Sequence, residues 1–342
     1  MGIRPEKIGG FLEAAYDLDA NDSEWLAAMA ERVRAVFGRT GPTQSVIYDA
    51  SDVNAFRVEC LRFALMDERE IDAVMRGLRW FTPTFVARTF RSTLVGGERE
   101  AGPEMAAFYD GMRRFGLMDA FNINGLDPCG LGVLLRLWTR KPVKLAPAEL
   151  SVLRRLAHHL SSAFRSRRRL QALGTAATAT DDAEAILDAR MRVVHAAGPA
   201  QSKAARNELT ETAKARDRMR VDHRQPVEHL GRWPALSWAR WTLVDSFQEG
   251  GRRYIVAREN QTQVHGLSAL SDRERQAVAY LAVGLTTKET AYALGIAAVT
   301  VRVLLARATE KLGVRSRAAL LEHPEVRRLV PVDSSVAVVL PR

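Results

Sequence analysis

LSDRERQAVAYLAVGLTTKETAYALGIAAVTVRVLLARATEKLGVRSRAA, residues Leu270–Ala319, carries the signals of three successive short helices. Ser271 followed three positions later by Glu274 is a capping box: the serine oxygen accepts the Glu274 amide and the carboxylate reaches back to the Ser271 amide. Ala277, Val278, Leu281 and Ala282 then recur at helical spacing until Gly284 stops the helix. Thr286 or Thr287 can cap a second helix carrying Ala291 and Leu294 inward, and Gly295 closes it in a conformation that favours glycine. A third helix, from about Ala298 to Leu312, sends Val301, Leu304, Leu305, Ala308 and Leu312 to a core and leaves Arg302, Val303, Ala306 and Arg307 near the opposite side. Two helices joined by so short a turn present the second to the major groove of DNA.

These residues resemble the LuxR-type (GerE-like) helix-turn-helix regulators over about fifty to sixty positions: L-S-x-R-E at Leu270–Glu274, the turn segment around Lys288-Glu289 and Leu294-Gly295-Ile296, T-V-[KR] at Thr300–Arg302, and K-L at Lys311-Leu312. The resemblance implies a fourth helix packing on the first and often mediating dimerisation, which Ser316–Leu321 fits with Ser316 as cap. It also implies base contact by Arg302, Val303 and Ala306, and phosphate contact by Lys288, Thr300 and Arg307. Arginine can fork onto guanine O6 and N7, whereas valine and alanine offer only contact with methyl groups, so Arg302 leads for direct readout. Three positions depart from the family: Thr290 for isoleucine, Ala297 for the serine cap of the recognition helix, and Leu304 for a common histidine. The missing cap costs about 1 kcal/mol locally unless Thr300 substitutes for it. Lys311 is expected to serve packing or the helix dipole rather than DNA. Region 4 of a sigma factor shares the L-S-x-R-E start, but it calls for helical segments upstream where this chain is mixed α and β.

Charge separates the ends of the chain. Residues 1–164 hold 21 Lys plus Arg and 21 Asp plus Glu; residues 165–258 hold 18 and 11; residues 266–328 hold 10 and 6. The net +10 therefore lies in the second half, as expected where one end meets a polyanion. Arg165, Arg167, Arg168 and Arg169 contribute to it, either as a solvated linker face or as phosphate contacts.

Upstream, Asp22–Gly38 reads as an amphipathic helix, Ser45–Tyr48 as a strand, and Glu68–Leu78, Pro83–Phe90 and Pro103–Phe115 as helices. Leu117–Asn124 and Leu131–Thr139, joined by a Gly/Pro/Asp turn, form an antiparallel hairpin before a long helix from Pro147 to about Leu173. After a small-residue linker at 174–180 come a strand at Arg192–His195, a helix at about Lys203–Val221 and a hairpin of Trp241–Phe247 with Arg252–Ala257 around Gly250-Gly251. Both units resemble GAF or PAS sensors in order of elements. The expected fold class is multidomain α+β: GAF/PAS-like sensor units with antiparallel sheets at 1–173 and 181–258, then an all-α four-helix helix-turn-helix domain at 266–328 and a tail at 329–342.

The expected function is a sequence-specific transcriptional regulator of the LuxR type, controlled through its N-terminal half, with double-stranded DNA and a second copy as partners. RNA polymerase, and a small-molecule or protein ligand of the N-terminal half, are further candidate partners; the rival readings are a sigma-like promoter-recognition protein and an upstream interaction module without a ligand. No cofactor and no metal are expected: Cys60 and Cys129 form no zinc pattern, and His158 and His159 point about 100° apart on a helix. Trp80, Phe81, Phe85, Phe108, Tyr109, Phe115 and Phe121 are expected to be core. No run of about twenty apolar residues could span a bilayer, and the start lacks a secretory apolar core, so the cytosol is the expected compartment. The sequence holds no Walker loop, no receiver-type acidic arrangement, no W-x-x-x-Y then D set of the acyl-homoserine-lactone sensors, and no acid–base or nucleophile motif of an enzyme.

Overall fold

A computed structural model describes residues 2–18, 20–38, 41–127, 129–173, 183–221, 241–249, 252–259, 267–327 and 329. Its first unit is built on β1 (Thr43–Asp49), β2 (Arg57–Ala64), β3 (Val95–Gly97), β4 (Asp119–Leu126) and β5 (Leu131–Thr139), an antiparallel sheet in the order β2-β1-β5-β4-β3. Every residue of β1 is buried, because it is flanked by β2 and β5 and covered on both faces. Alternation along β1 and β5 sorts two cores: Ile47, Val133, Leu135 and Leu137 on one face, Val46, Tyr48, Leu134 and Trp138 on the other.

The first face is covered by α1 (Ile8–Ala15), α2 (Asp22–Phe37) and α7 (Pro147–Leu173). An Asn21/Glu24 capping box starts α2, and Gly38 ends it at φ 60°, a left-handed position suited to glycine. Gly125 lets α7 lie close: a Cβ there would sit 2.7 Å from the Ser161 backbone nitrogen. The second face carries α3 (Glu68–Gly77), α4 (Pro83–Val86, running on as a π-helical turn through Ser92) and α6 (Ala106–Arg113), with α5 (Glu98–Ala101) beside β3. Here Phe85, Phe90, Phe108, Tyr109 and Trp138 pack as core. Phe121 belongs to the opposite face, and Trp80, expected in the core, is exposed. The Tyr48 hydroxyl lies 2.7 Å from Asn124 Oδ1 and 2.8 Å from the Phe90 carbonyl, while Asn124 Nδ2 donates to the Thr89 and Thr93 carbonyls. One buried polar knot thus joins β1, β4 and the π turn.

Three arginines of the basic run on α7, Arg165, Arg167 and Arg168, are engaged within the protein rather than left as a solvated face. Arg167 is buried, donates to the Asp17 and Ala20 carbonyls and to Asp22, and lies over the Trp25 ring. Arg165 pairs with Asp127, and Arg168 with Glu59. Folding the helix onto the sheet gave these cations partners that sequence neighbours could not reveal.

The second unit is a four-stranded antiparallel sheet, order β7-β6-β9-β8, from β6 (Ala185–Leu187), β7 (Val193–Ala196), β8 (Trp241–Glu249) and β9 (Arg252–Glu259), packed with α8 (Lys203–Val221) around Leu187, Leu209, Trp241 and Ile255. The expected hairpin turn at Gly250-Gly251, the linker 174–180 and the tail from 330 lie outside the described residues. Five helices end the described chain: α9 (Asp272–Ala282), α10 (Thr287–Leu294), α11 (Ala298–Lys311), α12 (Arg317–Glu322) and a single turn, α13 (Pro324–Arg327). Sequence reading did not anticipate α13, whose Glu325 accepts the Leu267 amide at 2.8 Å. Among the described residues no single helix is long and apolar enough to cross a membrane.

Candidate nucleic-acid interface

Side-chain caps open three helices of the helical domain, α9, α10 and α12, while α11 opens without one. Ser271 and Glu274 form the expected box on α9, and Thr286 with Glu289 forms a second on α10. Gly295 closes α10 at φ 69°, and α11 then leaves at 104° across the break Gly295–Ala297. Ser316 caps α12 by accepting the Ala319 amide at 3.0 Å. Ala297, the residue before α11, makes no side-chain cap. Lys311, at the far end of α11, donates to Glu274 at 2.7 Å and so ties the end of the third helix to the start of the first. Burial works to raise the Glu274 carboxyl, but Lys311 and the Ser271 amide outweigh it and hold it below the usual range.

Val301, Leu305 and Ala308 of α11 are buried against Ala277, Val278 and Leu281 of α9 and Leu294 of α10, with Leu304 and Leu312 partly buried at the margin. The opposite face is open. Arg302, Val303 and Ala306 are exposed along one side, Thr300 and Arg307 flank them, and Lys288 is exposed in the first turn of α10. Sequence reading missed Val299, which is 60% exposed one turn before Val303, itself 45% exposed. Its signal was the four-residue spacing to Val303 on a face already assigned to solvent. Among the described residues no ion pair engages Lys288, Arg302 or Arg307. Thr290, the residue in place of isoleucine, is 1% exposed and its hydroxyl has no partner.

The domain rests on α7 through its first two helices. Arg154 pairs with Glu289 at 3.3 Å, and Arg165 donates to the Tyr280 hydroxyl at 3.1 Å. His159 is bridged by two hydroxyls, Tyr16 at Nδ1 (3.2 Å) and Tyr292 at Nε2 (3.3 Å). His158 lies beside Tyr292 with its Nε2 unpartnered. Burial pushes the His158 imidazole down to about 4, with Glu289 opposing and Arg154 assisting; burial and then His158 push His159 down to about 3. Both are neutral at pH 7. This docking leaves Val299, Arg302, Val303, Ala306 and Arg307 exposed.

Among the described residues no group of three or more His, Cys, Asp or Glu is placed to hold a metal ion. Cys60 and Cys129 are free thiols, and burial raises both, which disfavours the reactive thiolate. A cavity of about 980 Å³ opens beside β3, lined by Val95, Phe121, Val143 and Leu145 with the Arg113–Glu98 ion pair at its edge.

Residues 268–323 match the family described as bacterial regulatory proteins, luxR family. No curated protein matches the chain. Among solved structures, SdiA in complex with octanoyl-rac-glycerol is 10% identical, with a TM-score of 0.34 over 95% of this chain and 93% of that one. A crystal structure of Escherichia coli SdiA is 10% identical, with a TM-score of 0.31 over 92% and 94%.

Proposed function

We propose that this chain, whose residues 268–323 are a DNA-binding domain of the luxR family of bacterial regulatory proteins, is a sequence-specific transcriptional regulator governed by its N-terminal half. The observation that carries the reading is the open face of α11. A helix packed on one side by a capped scaffold presents Arg302, Val303 and Ala306 outward, with exposed Lys288, Thr300 and Arg307 around them. In this reading Arg302, Val303 and Ala306 touch base edges, while Lys288, Thr300 and Arg307 touch phosphate and set the register. One helix-turn-helix spans few base pairs, so a homodimer on a two-fold site is the matching assembly. The units at 1–173 and 181–258 act as sensory or interaction domains, the cavity beside β3 favours a small-molecule ligand for the first, and the cytoplasm and RNA polymerase are the accompanying compartment and contact.

Binding-site selection followed by titration at several salt concentrations tests this. Arg302→Ala should cost about 1–3 kcal/mol and relax selection at one base pair per half-site. Lys288→Ala should weaken all sequences alike and reduce the salt slope by about one. Selection unchanged by loss of the Arg302 side chain would overturn its assignment.

A further inference from the structure

Within the DNA-binding reading just given, and resting on it, we infer that α11 reads thymine methyl groups through an apolar stripe beginning at Val299. Each half-site then carries thymines beside the base pair offered to Arg302. Val299, Val303 and Ala306 follow one another at steps of four and three residues, so their side chains adjoin on one face. All three are exposed. Among the described residues the other exposed large hydrophobics, Leu65, Trp80, Met118 and Val194, are far apart in the chain, whereas Val299 and Val303 are neighbours on a single helix.

Helix stability does not account for this choice. β-Branched residues are poor helix formers, and Val299, Thr300, Val301 and Val303 crowd the first two turns of a helix whose start lacks a side-chain cap. Burial explains Val301, which is fully enclosed, but among the described residues nothing covers Val299 or Val303, which are 60% and 45% exposed. The sequence therefore gives up helix propensity at two solvent positions in exchange for apolar surface.

Charge selects the occupant. Lys288, Arg302 and Arg307 are exposed on the same two helices and engaged by no ion pair among the described residues, so a polyanion satisfies the cations and the methyl-lined stripe together. In the major groove the one apolar group a base pair offers is the thymine C5 methyl, and valine and alanine can recognise nothing else there. Alanine at 306 also keeps the helix close to the bases.

The test uses the full chain and the site it selects, replacing each thymine in turn by deoxyuridine, which removes only the methyl group. One or two replacements per half-site should weaken wild-type binding about fourfold each. Val299→Ala should lose that discrimination at one position and Val303→Ala at another. Both variants should keep or raise the thermal midpoint, because alanine is the better helix former. If a sequence is still selected but thymine and deoxyuridine bind alike throughout, the stripe is overturned and the DNA-binding reading stands. If no sequence is selected, both fall. A changed oligomeric state in either variant, with discrimination intact, would assign the stripe to a contact between copies and overturn the inference.

Discussion

The helical end of the chain and the sheet that begins it are specified over very different distances. Ser271–Glu274, Thr286–Glu289 and Ser316–Ala319 are contacts three residues apart, and they set the helix boundaries one by one. The sheet unit has capping boxes too, but what locks its layers together are Tyr48 to Asn124, Arg165 to Asp127 and Arg167 to Asp22, pairs far apart in the chain and buried or partly buried. Loss of a cap should fray one helix end, whereas loss of a long-range partner should strand a buried charge.

The contrast is broken most severely at Asp127. Asp127→Ala leaves the Arg165 guanidinium without its carboxylate and should cost about 3–5 kcal/mol, read as a lower urea midpoint; a loss no larger than that of a cap would refute the comparison. Next comes acid. The folded state keeps His158 neutral down to about pH 4, while the unfolded chain binds its proton near pH 6.5, so stability is present above that value and drains as pH falls. Between pH 7 and pH 5 this amounts to about 2 kcal/mol. The groups facing the pair are Tyr16, Tyr292, Glu289, Arg154 and Arg155, and none but Glu289 could neutralise an imidazolium. Thermal midpoints across that range should fall less in His158→Leu than in the wild type; equal slopes would remove His158 from the account.

Smaller effects sharpen the local side. Thr290→Val removes a buried hydroxyl without a partner and should gain about 1 kcal/mol. Ala297→Ser should restore the absent cap of α11 and add roughly 0.5–1 kcal/mol, visible as slower amide exchange in residues 298–301. No gain from the serine would mean that the helix start is already held by other contacts.

The same division decided what the sequence disclosed. The helices of the DNA-binding domain were legible because their caps, glycines and apolar spacing are written within a few residues. The hairpin of β4 and β5 was legible from its turn. By contrast α1, Ile8–Ala15 with two glycines, is stabilised by packing on α2 and α7, which no local pattern announces. Strand β2 carries Arg57, Glu59 and Arg62 at a sheet edge, and β3 has three residues of which two are glycine. The face of α11 was read correctly in outline, but Val299 was passed over because an exposed valine has meaning only once its surroundings are seen to be empty. Arg165 and Arg167 of α7 fit neither expected role, since charge in a sequence is silent about which carboxylate will fold against it.

His159 is touched by Tyr16, near the start of the chain, and by Tyr292, near its end. During synthesis Tyr16 leaves the ribosome first, then His159, then Tyr292, and N-terminal domains fold first. The sheet unit can therefore place His159 against Tyr16 while the helix-turn-helix is still unmade, and Tyr292 arrives last on a surface already formed. A chain interrupted before residue 287 would keep the Tyr16 contact to this imidazole and lack the one from Tyr292, its seat for the DNA-binding domain assembled but vacant.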